Sequence, residues 1–125
     1  MSGSEFAVVD LFAGPGGLAE GFSSLRARDG SRPFRIVLSV EKDPVAHQTL
    51  RLRSFLRQFE GGFPAEYYNW LATGGSQPEW SRIYPDQWRA ACDEALNLTM
   101  GVEADDALIE RRLARIRQQY GDRSI

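Results

Sequence analysis

The chain has almost none of the residues that build metal centres and disulfides: one cysteine, Cys92, and one histidine, His47, among 125 residues. A single cysteine excludes an internal disulfide and a cysteine-based metal cluster. A lone histidine excludes a zinc site built on paired histidines. Lysine is equally scarce: Lys42 is the only one, and the other fourteen basic residues are arginine, a bias that points to a GC-rich coding sequence and carries no function. Nor is there an excess of positive charge. The net charge is −2; residues 1–60 hold eight basic and seven acidic residues, residues 61–125 seven and ten. Neither half is the strongly basic body that phosphate neutralisation alone would need to hold DNA. No apolar run approaches the ~20 residues of a transmembrane helix. Met1-Ser2-Gly3-Ser4-Glu5 lacks the basic start and apolar core of a signal peptide, which predicts a cytoplasmic chain without a membrane partner. What remains, 42% hydrophobic and 26% charged residues, is the balance of a globular protein with room for one domain.

Phe6-Ala7-Val8-Val9-Asp10-Leu11-Phe12-Ala13 is an apolar, β-prone run that ends in the turn Gly14-Pro15-Gly16-Gly17. Apolar residues at both alternating positions predict a central parallel strand covered by helices on each side. Leu18, Phe22 and Leu25 then recur at steps of four and three, one face of a helix ending near Asp29-Gly30. Phe34-Arg35-Ile36-Val37-Leu38-Ser39-Val40 reads as a second strand, and Pro44 opens a helix carrying Ala46, Leu50, Leu56 and Phe59. Strand, glycine turn, helix, strand, helix is the opening of a βαβ sheet. We take residues 1–60 as that cofactor-binding start and residues 61–125 as a helical insertion. The insertion holds the aromatics Tyr67, Tyr68, Trp70 and Trp80, a helix with Trp88, Ala91, Cys92 and Leu96 on one stripe, and a last helix from Glu103 to Tyr120. No third strand is legible before Arg123-Ser124-Ile125. The expected fold class is therefore α/β, a partial Rossmann-like sheet, and the chain reads as the beginning of a larger domain.

Chemistry concentrates at the glycine turn. Where a strand hands over to a helix, glycines let the backbone approach a ligand and the helix N-terminus presents unpaired N–H groups. Gly14, Gly16 and Ala19 satisfy the G-x-G-x-x-A dinucleotide fingerprint, and Glu41 ends the second strand, where an acid can accept hydrogen bonds from a ribose diol. A tight turn beside a solvated acid is the alternative.

Asp10-Leu11-Phe12-Ala13-Gly14-Pro15-Gly16-Gly17 followed by Glu20-Gly21-Phe22 resembles the first motif of the DNA (cytosine-5) methyltransferases. Val40-Glu41-Lys42-Asp43-Pro44, with Ala46, resembles their second motif, so the likeness spans roughly residues 6–56. The resemblance implies an S-adenosylmethionine-dependent methyltransferase fold and DNA as the partner of the complete enzyme. It places the cofactor on Phe12, Ala13, Gly14, Pro15, Gly16, Gly17, Leu18, Glu41 and Lys42. Phe12 would flank the adenine, residues 14–18 would line the methionine part, Glu41 would hold the ribose hydroxyls and the Lys42 stem would lie on the adenine face.

The departures are as specific. The family's nucleophile is a cysteine in a Gly-Pro-Pro-Cys-type segment, and this sequence has no Pro-Cys pair. Cys92 falls inside a helical stretch, on its apolar face, and is expected to be a small buried hydrophobe. The family's Glu-Asn-Val segment and target-recognition region are absent, and its third motif has no match in residues 57–80. The sequence thus reads as the N-terminal cofactor-binding part of such an enzyme, ending just before the catalytic motif, which is expected to follow Ile125. It assigns no catalytic residue and no metal ligand. A non-catalytic interaction module and a nicotinamide-dinucleotide protein are the other readings.

The remaining candidates read as structural. Arg111, Arg112, Arg115 and Arg117 beside Glu103, Asp105, Asp106 and Glu110 suit the dipole of the last helix and i,i+4 pairing, a solvated face. The aromatics of the insertion are expected to pack against the sheet. A partial parallel sheet with uncovered edges predicts a homo-oligomer. Replacing Glu41 by alanine is expected to weaken ligand binding, and replacing it by glutamine to do so less, because the amide keeps an acceptor.

Overall fold

The computed structural model describes residues 5–121. The expectations for Met1-Ser2-Gly3-Ser4 and for a strand at Arg123-Ser124-Ile125 lie outside the described residues. Strands β1 (Phe6–Asp10), β2 (Phe34–Val40) and β3 (Ala95–Leu96) form one parallel sheet in the order β1-β2-β3. The helices are α1 (Gly17–Ser24), α2 (Pro44–Arg57), α3 (Ala65–Thr73), α4 (Trp80–Ile83), α5 (Pro85–Glu94) and α6 (Glu103–Tyr120). The fold is thus α/β, a three-stranded parallel sheet flanked by helices. Among the described residues, no helix is long and apolar enough to cross a membrane.

The strand period of two divides the sheet into two faces. Ala7, Leu38 and Val40 turn towards α6 and bury Ile109 and Ile116, while Leu113 and Tyr120 complete that layer. On the opposite face Leu50 of α2 packs with Ala13 and with Ala95 of β3. β1 and β2 run in register from Phe6↔Phe34 to Val8↔Ile36, then skip Val37, so a bulge bends β2 before Val9↔Leu38. β3 pairs only Ala95 with Ser39 and Leu96 with Val40.

Of the helical insertion, α6 lies on the sheet, while the aromatics of α3, α4 and α5, expected on the sheet, cluster on α2. Phe55, fully buried, sits against Trp80, Phe59, Trp88 and Tyr84, with ring centroids 4.9 to 6.4 Å away. Arg57, at the end of α2, ties three helices together: its guanidinium donates to Glu20 of α1 and, at 2.7 Å, to Glu94 of α5.

Further expectations need correction. A third strand does exist well before residue 123: Leu96, expected on a helical stripe, belongs to β3, because α5 ends at Glu94 and Ala95 turns extended beside Ser39. Helix α1 stops at Ser24, not near Asp29-Gly30. Residues 27–31 form a turn in which Asp29 accepts from the Ser31 N–H and hydroxyl and Ala27 donates to the Ser31 carbonyl. Its buried face is Ala19 and Ser23, leaving Leu18 and Leu25 exposed and Phe22 half-buried against Phe34. Cys92 is half-buried rather than buried. On α6, Asp105 and Asp106 accept from the backbone N–H groups of Thr99 and Gly101, and Arg112 reaches back to Asp93, in place of the expected i,i+4 pairs.

Candidate functional site

The site is built where β1 and β2 end side by side. β1 is shorter than the apolar run that encodes it, because Leu11 and Phe12 already turn. The Ala13 N–H then donates to the Val40 carbonyl at 3.0 Å, which fixes the start of the glycine turn to the end of β2. The turn needs glycine twice. Gly14 has φ +57° and Gly16 φ +94°, the left-handed region that costs an L-residue about 1–2 kcal/mol. Gly16 has a second reason: a Cβ there would stand 3.0 Å from Leu50 Cδ1, so the turn lies directly on α2. Ala19, third in the fingerprint, is buried and lets α1 sit close to the sheet.

Gly16 caps α1 without any side-chain hydrogen bond. The first intrahelical bond is Glu20 N–H to the Gly16 carbonyl, so no side chain competes for the N–H groups of the first turn. Arg53, a residue that sequence reasoning missed, reaches across from α2 and donates to the Pro15 carbonyl at 3.0 Å.

Glu41 is the centre of the arrangement. Its Oε1 accepts from the Gly14 N–H at 3.0 Å and its Oε2 from the Asp43 N–H at 2.8 Å. One carboxylate therefore bridges the glycine turn and the start of α2, and each oxygen keeps lone-pair capacity for a further donor. Asp43 caps α2 as its sequence position suggests, accepting from the Ala46 N–H at 3.2 Å.

The third strand supplies the far side. The Glu41 N–H donates to the Leu96 carbonyl at 3.0 Å, and Asn97 Nδ2 donates to the carbonyls of Glu41 and Lys42 at 2.9 and 3.0 Å. His47 Nε2 lies 2.9 Å from the Ala95 carbonyl, so α2 also grips β3. Asn97 was not legible beforehand. Its only signal is a polar residue after Ala95-Leu96, and two apolar residues are too few to announce a strand.

Of the nine residues singled out for the cofactor, Gly14 and Glu41 are in direct contact. Ala13 is spent in the core, and Gly16 is buried against Leu50. Pro15, Gly17, Leu18 and Lys42 are exposed along the turn and the β2 end, with Leu18 at 67%. Phe12, at 81%, is the most exposed large apolar side chain described. Cys92 takes no part. Among the described residues no group of three metal-binding side chains gathers. Comparison with protein-family models, curated proteins and solved structures finds no match to the chain.

Proposed function

We propose that the glycine turn and Glu41 bind S-adenosylmethionine, and that the chain is the cofactor-binding part of a DNA cytosine-5 methyltransferase with a partial Rossmann-like methyltransferase fold. One observation carries the reading: the Glu41 carboxylate, pinned by the Gly14 and Asp43 N–H groups, stands ready-oriented at the ends of two adjacent parallel strands. Ligands of open α/β sheets bind outside the carboxyl ends of the strands.

In this reading the free lone pairs of Glu41 accept the two ribose hydroxyls, as charge-assisted hydrogen bonds. The exposed ring of Phe12 takes one face of the adenine, and the Lys42 stem lies near it. The uncapped start of α1, Gly17 and Leu18, offers N–H groups to the ligand's carboxylate. Asn97 has spent its amide nitrogen on the two carbonyls, which leaves Oδ1 as an acceptor at the tip of β3. When bound, S-adenosylmethionine supplies an electrophilic methyl group. The 125 residues hold no Pro-Cys nucleophile to add to cytosine C6 and activate C5 towards it, so they are expected to bind without transferring.

Calorimetric titration with S-adenosylhomocysteine, in parallel with a nicotinamide dinucleotide, tests the proposal. Saturable binding of the first alone is expected. Preference for the dinucleotide would overturn it, and binding of neither would favour an interaction module.

A further inference from the structure

A cavity lies away from the glycine turn, beside the first half of β2. Because β3 is two residues long, it covers only Ser39 and Val40. Among the described residues no strand lies next to residues 34–38 on that side. A cleft of about 850 Å3 lies beside them, lined by Phe34, Arg35, Ile36 and Val37, by the ends of α2 and α5 and by α6, with the Arg112–Asp93 ion pair joining α6 to α5 at its side. A sheet edge left open between two helical layers is a template for an added strand, whose main chain would continue the ladder.

The walls say which strand. The chain as a whole is negative, yet this cleft is lined by five arginines against four acids. Glu94 is engaged by Arg57 and Asp93 by Arg112, which leaves Arg32, Arg35 and Arg115 against Glu5 and Glu60. Arg32, Arg35 and Arg115 have no carboxylate partner among the described residues. The α6 wall adds an unmet donor, because Arg112 Nε is buried there without a partner while its other nitrogens hold Asp93. On the opposite wall Phe59 offers apolar surface.

We infer that this cleft is a docking groove for an extended acidic peptide segment of a partner protein. The segment adds as a strand to residues 34–38 of β2, turning carboxylates to Arg112 and Arg115 and apolar side chains to Phe59. Five residues of ladder span about 17 Å, enough for a hexapeptide to fill. The inference is independent of the cofactor reading, since none of these groups belongs to the glycine turn.

A fluorescent hexapeptide alternating glutamate and valine, titrated against the 125-residue chain and followed by anisotropy, is the probe; a lysine–valine peptide is the control. Binding of the glutamate peptide alone is expected, with slowed hydrogen exchange at residues 34–38 and none at 14–17. Arg35→Glu and Arg115→Glu, both on exposed side chains without ion pairs, should each weaken binding by roughly tenfold or more while circular dichroism stays unchanged. Equal binding of the lysine peptide, no binding of either, or binding without protection of residues 34–38 would overturn it.

Discussion

Glutamine at position 41 is expected to be nearly as damaging as alanine, against the expectation from sequence that it would be mild. In the unliganded protein the Glu41 carboxylate accepts from two backbone N–H groups, one on each oxygen. Alanine removes both acceptors. The Asp43 N–H is exposed and turns to water, but the Gly14 N–H is half-buried, so the loss should be about 1–2 kcal/mol. Glutamine can accept on one oxygen only, and whichever way its amide lies, its NH2 faces another N–H. One bond survives without its charge assistance and the other becomes a donor–donor contact, again about 1–2 kcal/mol. For a domain of this size that is a fall in Tm of roughly 3–8 °C for both variants. Thermal unfolding without ligand measures this apart from any binding function. If the same variants are titrated with S-adenosylhomocysteine, each should lose roughly 10- to 150-fold in affinity, since 1.5–3 kcal/mol of charge-assisted bonding is removed. A Glu41→Gln protein that melts with the parent chain while Glu41→Ala does not would refute the two-acceptor argument.

Phe55→Ala should cost about 3–5 kcal/mol in urea unfolding, because it empties the hub on which four aromatic rings converge; a loss under about 1 kcal/mol would mean the insertion is only loosely attached. Gly16→Ala should destabilise more than Gly14→Ala: both pay about 1–2 kcal/mol for positive φ, but only at Gly16 does the new methyl meet Leu50. The Tyr84 hydroxyl donates to Glu66 at 2.9 Å, and this bond holds the phenol above its ordinary value. The stability it contributes is present below the ordinary tyrosine pKa and is lost as pH rises through the raised one. Glu66→Ala should therefore bring the absorbance titration of Tyr84 down. Cys92→Ala should leave methyl transfer from labelled cofactor to DNA at zero, as in the parent chain.

The local signals were strong where periodicity or a special residue was involved. β2, the Asp43-Pro44 start of α2 and the full span of α6 were legible, since each has either a long period or a capping residue with one physical use. The face of α1 was misread because Leu18 and Leu25 are apolar but the helix buries its small residues, Ala19 and Ser23, to approach the sheet closely. β3 was invisible: two residues carry no period, and their pairing with Ser39 and Val40 depends on contacts more than fifty positions away. Long separations likewise hid Asn97, 56 positions from Glu41, and Arg53, 38 positions from Pro15. Gly14 and Glu41, by contrast, are legible in the sequence and do meet, because each follows the end of its own strand and the strands are neighbours.

The two-residue β3 has a consequence for how the molecule divides. Every residue proposed from sequence to touch the cofactor lies before position 60, which invites the view that those sixty residues are a portable module. Yet the loop bearing Glu41 and Lys42 is fastened by Leu96 and Asn97, and the helix behind it by the Ala95 carbonyl. The site is thus assembled from two stretches far apart in sequence, the first sixty residues and residues 95–97. Chain closure across the intervening helices is a condition for its shape, so a shortened piece would keep the motif and lose its geometry.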